Sequence, residues 1–116
     1  MTRSLISSAF LCAGMAFGFA ALFPSVSHAE LIKLDLLQKS CAAKSAVVRA
    51  DCEGYIAGVY DMLGSQHAIC PSADIRLKNV REMAVGYLGS HKFPADTTSV
   101  AAVTEALKAG YACKKP

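Results

Sequence analysis

Four cysteines, Cys41, Cys52, Cys70 and Cys113, fall within the last 87 residues of this 116-residue chain, and they constrain its fold more than any other feature. An even count in so short a stretch reads as two disulfides if the chain leaves the reducing cytoplasm. The N-terminus says that it does. Arg3 supplies a short positive start, and Leu5 to Phe23 is an apolar run without charge. Pro24 breaks that run, and Ser27-His28-Ala29 offers small residues at the −3 and −1 positions of a signal-peptidase site. At about 19 residues the run could reach across a bilayer. Its serines and glycines and the cleavage pattern behind it favour removal over anchoring. Residues 1–29 are therefore expected to be a cleaved secretory signal and residues 30–116 a single exported domain. Cys12 leaves with the leader, and Leu11 before it does not suit a lipoprotein signal.

Removing the leader changes the composition. The 53% hydrophobic content is partly leader, and loss of Arg3 lowers the formal net charge from +3 to +2. No basic stripe interleaved with aromatic residues points to nucleic acid. No membrane partner is expected once the leader is gone. A domain of this length buries only about 60% of its unfolded surface, so covalent staples matter to it.

The remaining chain has helical rather than alternating periodicity almost throughout, and the expected class is all-α: a small four-helix domain stapled by two disulfides. A first helix is expected from Leu31 to about Lys39, with Leu34, Leu37 and Cys41 on one side. A second, from about Ser45 to Gln66, carries the stripe Val48, Cys52, Tyr55/Ile56, Val59, Met62/Leu63. Pro71 and Ser72 mark a break, with Ser72 as N-cap and Asp74 in the first turn of a third helix. Leu77, Val80, Ala84, Tyr87 and Leu88 form its inner face, and Gly89 is placed to end it. Pro94 and Asp96 to Ser99 open a fourth, with Val100, Val103, Leu107 and Tyr111 facing the core. The second helix also has a face of small residues, Ala50, Gly54 and Gly58, leading to Asp61. Interior glycines cost about 1 kcal/mol each against alanine, and close internal packing is the expected reason for them.

Helix length decides the cysteine pairing. The ~14 helical residues between Cys52 and Gln66 span about 21 Å, whereas a disulfide holds Cα atoms within ~7 Å. Cys52 therefore cannot reach Cys70. If the last three helices run up, down and up, Cys70 and Cys113 meet at one end, and Cys41 meets Cys52 at the other. The expected bridges are Cys41–Cys52 and Cys70–Cys113, worth roughly 3 and 4 kcal/mol in the chain-entropy model.

Catalytic chemistry is sparse. His67 and Cys70 have the spacing of two metal ligands, but a closed zinc site takes four, and Cys70 is better explained as a disulfide. Asp51 and Asp61 lie about 15 Å apart along a helix, too far for an acid–base couple. No catalytic residue, metal or cofactor is expected. Asp61 reads as a surface or tyrosine-bonded carboxylate, and the four tyrosines as mostly core residues with a hydroxyl at the rim.

The residues carry a family likeness. Cys41, the segment Asp51-Cys-Glu-Gly-Tyr-Ile-Ala-Gly-Val-Tyr-Asp61, Cys70-Pro71, Val85-Gly-Tyr-Leu88, Ala106-Leu107 and Tyr111-Ala-Cys113 occur in that order. Together they resemble the Rap/Tai immunity proteins, periplasmic antidotes against type VI secretion effectors. The chain departs from the pattern at Ala112-Cys113, where such proteins often end in Pro-Cys, and at His91-Lys92-Phe93-Pro94, where they carry His-Pro. The resemblance implies a non-enzymatic periplasmic helical domain, often a homodimer, that binds and inhibits a peptidoglycan-cleaving amidase. It also implies that Gly54, Tyr55, Gly58 and Asp61 are mainly scaffold. The most exposed polar and aromatic segment, Ser90, His91, Lys92 and Phe93, is the expected partner surface. A rival reading is a general periplasmic binding or stress protein, akin to small acid-protective chaperones, with no effector partner.

Overall fold

Capping hydroxyls start two of the four helices in the computed structural model, which describes residues 30–115; the expected leader, 1–29, and Pro116 lie outside the described residues. The helices are α1 (Leu34–Ala42), α2 (Ala46–Ser65), α3 (Leu77–Ser90) and α4 (Ser99–Gly110), with no strand among the described residues. The chain is all-α, as its periodicity predicts. Ser45 Oγ accepts from the Val48 N–H at 3.5 Å, and Thr98 Oγ1 accepts from the Ala101 N–H at 3.2 Å. Each satisfies one backbone donor that a helix start otherwise leaves unpaired.

The other two starts depart from the sequence reading. α1 begins three residues later than Leu31, because the segment before it is used elsewhere. Ser99 Oγ donates to the Ile32 carbonyl at 2.6 Å, and the Ser99 N–H donates to the Glu30 carboxylate. These bonds hold the N-terminal segment against the start of α4. α3 begins at Leu77 rather than just after Ser72, with Arg76 at the N-cap and no side-chain cap. The Cys70 N–H is committed to the Tyr111 carbonyl at 2.8 Å, and the Ser72 carbonyl accepts Ile75 N–H in a turn at 3.2 Å. Residues 70–76 must cover the distance from the end of α4 to α3, which overrides the local capping signal of Ser72.

The core is built from one stripe of each helix. Leu37, Ile56, Leu88, Val103 and Leu107 are its largest fully buried apolar side chains, joined by Val80, Ala84, Ala102 and Ala106. On α4, Val103 and Leu107 are buried as predicted, but the first turn differs: Ser99 is buried, whereas Val100 is 41% exposed. Ser99 is held there by its bonds to Ile32 and Glu30. Val48 and Met62 likewise fall at the rim of the α2 stripe, and Leu77 lies outside the α3 stripe, more than half exposed.

Both disulfides have the expected partners. Cys41–Cys52 ties α1 to the start of α2 with Cα atoms 5.1 Å apart, and Cys70–Cys113 joins the α2–α3 connection to the C-terminal tail at 4.8 Å. The Tyr60 ring meets Tyr111 edge-on at 6.0 Å beside the second bridge. α2 ends in a two-bond motif: His67 N–H reaches the Gly64 carbonyl at 3.0 Å and Ala68 N–H reaches the Leu63 carbonyl at 2.9 Å. The motif requires a left-handed residue at His67, whose φ is 54°, where glycine is the usual occupant.

Candidate partner-binding surface

The connection between α3 and α4 is short, and its side chains are held from several directions. It begins at Tyr87, in the last turn of α3, whose hydroxyl donates to Glu105 on α4 at 2.7 Å. That bond raises the Tyr87 hydroxyl pKa above its ordinary value of 10, with desolvation and the Glu105 charge acting in the same direction. Four residues on, the chain leaves the helix at His91, in extended backbone, with its N–H still bound to the Tyr87 carbonyl at 3.0 Å.

This spacing lays the His91 ring over Tyr87, with centroids 3.6 Å apart and planes 10° from parallel. His91 Nδ1 is 3.1 Å from the Tyr87 carbonyl. A carbonyl can only accept, so Nδ1 is the donor in this contact. Ser90 Oγ also donates to that carbonyl, at 3.2 Å. Phe93 completes an aromatic group at 6.5 Å from Tyr87 and 6.3 Å from His91, with part of its ring against the core. Lys92, between His91 and Phe93 in the sequence, is exposed. A turn closed by Thr97 N–H to the Pro94 carbonyl, at 3.0 Å, then delivers the chain to the Thr98 cap of α4.

A groove of about 730 Å³ runs between this loop and the beginning of α1, lined by Lys33, Leu34 and Gln38 on one side and by His91, Lys92 and Phe93 on the other. Gln38 Nε2 donates to the Leu88 carbonyl at 2.9 Å, which fixes α1 against the end of α3. The structure thus brings the three predicted partner residues together on one rim. Sequence reading missed Tyr87, taken there as core, and Glu105 and the α1 wall. The four-residue step from Tyr87 to His91 is a signal for the stack. Nothing local announces Lys33 or Gln38, which reach the loop only through the tertiary fold.

The second predicted group is divided. Tyr55 is half-buried scaffold: burial and the Glu30 carboxylate raise its hydroxyl pKa, against a hydrogen bond with Ser99 that lowers it. Gly54 and Gly58 do not serve internal packing. A Cβ built at either meets no heavy atom within 4 Å, so the expectation of close approach fails for both. With Ala50 and Asp61 they form an exposed face of α2, and Val47 at its start is 80% exposed. The bundle turns the stripe of Cys52, Ile56, Val59 and Leu63 inward and leaves this face to solvent. Asp61 adds to the burial that raises the pKa of neighbouring Tyr60.

Among the described residues no three His, Cys, Asp or Glu side chains come together as metal ligands, and His67 is spent on the left-handed turn that ends α2. No helix among them is long and apolar enough to cross a membrane. A family model described as Rap1a immunity proteins matches residues 33–113, a span that holds all four helices and all four paired cysteines. No curated protein and no solved structure matches the chain.

Proposed function

Because the chain belongs to the Rap1a immunity protein family, we propose that it is a periplasmic antidote that binds and blocks a peptidoglycan-cleaving amidase delivered by type VI secretion. Membership carries the general statement, that of a protein that neutralises a cognate effector. The amidase, the secretion route and the compartment are our reading.

The observation that supports it is the α3–α4 loop. An inhibitor needs a shaped, rigid surface more than it needs reactive groups, since ordering a loose loop on binding subtracts from affinity. Here His91 is stacked and hydrogen-bonded, Phe93 is anchored on the core, and Lys92 between them in sequence is exposed. Aromatic side chains with a cation beside them are the composition that interface hot spots favour. Neutralisation on this reading is occupation of the effector's cleft, and the inhibitor supplies no chemistry of its own.

The test is a pull-down with the oxidised protein against a panel of peptidoglycan amidases, followed by hydrolysis assays on any complex. A stoichiometric complex that abolishes hydrolysis is expected. Phe93→Ala should weaken it by about 2 kcal/mol, some thirtyfold in Kd, and Lys92→Glu should act mainly on the association rate. Unchanged affinity in both variants would remove the loop as the contact. Failure to bind any amidase would leave the fold and move the function towards the general binding or stress protein. A homodimer also belongs to this reading and is checked by sedimentation.

A further inference from the structure

The two disulfides differ in what a solvent molecule can reach. Cys41 is 9% exposed and Cys52 1%, both inside the core cluster, whereas Cys70 and Cys113 are both exposed. Thiol–disulfide exchange needs a thiolate to approach one sulfur directly, so access separates bridges that share the same chemistry. We infer that Cys70–Cys113 is a thiol-exchange site, opened reversibly by an external thiol or dithiol while Cys41–Cys52 stays closed, and that the attack falls on Cys113.

The choice of sulfur follows from its surroundings. The His67 carbonyl oxygen, at the C-terminal end of α2, lies 4.0 Å from Cys113 Sγ. The negative partial charge of that oxygen disfavours a thiolate beside it, which makes Cys113 the poorer leaving group and Cys70 the better one. Cys113 also lies beyond α4, in an exposed tail without regular structure, open to an incoming thiol. In the first step the attacking thiolate bonds to Cys113 Sγ, the Sγ–Sγ bond breaks, and Cys70 leaves as a thiolate that takes a proton from water. In the second step another thiol attacks the external sulfur of the mixed disulfide and releases Cys113, which is protonated in turn. Two thiols are oxidised to a disulfide, and the pair gains two electrons and two protons.

Opening this bridge leaves the bundle in place. α4 stays anchored by the buried Ala102, Val103, Ala106 and Leu107, and Tyr111 keeps its carbonyl bond from Cys70 N–H and its contact with Tyr60. The His91–Phe93 loop is at the other end of α4, about 18 Å away along a helix of this length. The exchange therefore alters the tail and leaves the proposed partner surface untouched, so its test is independent of that function.

The experiment treats the oxidised protein with reduced glutathione, quenches with acid, alkylates free thiols and maps the cysteines by peptide mass spectrometry, with far-ultraviolet circular dichroism alongside. The expected result is glutathione on Cys113, alkylated Cys70, intact Cys41–Cys52 and unchanged helicity, with the exposed bridge opening about tenfold or more faster than the buried one. Glutathione found on Cys70, or both bridges opening together with loss of helicity, would overturn the assignment. Cys70→Ala/Cys113→Ala supplies the second arm. It should take up no glutathione under the same conditions, and uptake at Cys41 or Cys52 in that folded variant would show that burial does not protect them.

Discussion

Replacing Gly54 and Gly58 together by alanine should stabilise this protein. Both lie inside α2 and face open space, with no heavy atom within 4 Å of an added Cβ, so alanine brings its helical preference without a clash. Each substitution is worth about 1 kcal/mol in an exposed helix interior, about 2 kcal/mol for the pair. For a domain of this size that shifts Tm upward by about 8–16 °C. Gly110→Ala is the internal control: its Cβ would sit 2.5 Å from Met83 Sδ, so that side chain must move and the gain should shrink or reverse. The assay is urea and thermal unfolding followed by circular dichroism at several protein concentrations, with an unchanged m-value marking a change in stability alone. Destabilisation by the Gly54 and Gly58 pair would refute the reasoning. Loss of a concentration-dependent Tm would carry the same message, that a second copy of the chain covers this face in solution and needs its smoothness.

His67→Gly should raise stability by about 0.5–1 kcal/mol, because the left-handed conformation that ends α2 costs a residue with a Cβ more than it costs glycine; equilibrium unfolding reads it. Ser99→Ala should cost about 1–3 kcal/mol, since the buried hydroxyl is the donor to the Ile32 carbonyl; the same unfolding assay checks it, with faster proteolysis near residue 30 as a second sign. The four tyrosine hydroxyls all have pKa values raised above 10, led by burial at Tyr55, Tyr60 and Tyr111 and by the Glu105 hydrogen bond at Tyr87. The folded state then holds protons that the unfolded state has lost, so their contribution is full below pH 10 and falls away as pH rises through the folded values. Phenolate absorbance should therefore lag behind free tyrosine on alkaline titration, and stability should decline over the same range; a titration indistinguishable from free tyrosine would refute this.

The features legible in the sequence were those fixed by distance or period. The disulfide pairing followed from the length of α2 against the reach of a cystine, and the buried stripes of α1 to α3 followed from a helical repeat. The features that were not legible depend on contacts far apart in the chain. Glu30 and Ser99 are 69 residues apart, and their bond holds the N-terminal segment out of α1 and keeps Ser99 in the core, so no local pattern could place Leu31 or Val100 correctly. Ser72 and Asp74 have good N-cap chemistry, which loses to the tether at Cys70. The glycines of α2 show a different limit. Composition marks them as costly, but it cannot tell an internal contact from an open face. At the candidate site, His91, Lys92 and Phe93 stand out as an exposed polar and aromatic run, while Tyr87 reads as core because it packs against the core although it is only partly buried.

Cys70 and Cys113 are 43 positions apart in the sequence, and the whole of α3, the His91–Phe93 loop and α4 lie inside the ring their bridge closes. A protease that cut the loop between α3 and α4 would thus not split the molecule. The two pieces would remain covalently joined at the far end, with α4 still seated on its neighbours, and the nicked protein would run as one chain without reductant and as two with it. An exposed loop can in this way lose a peptide bond without the protein losing its scaffold.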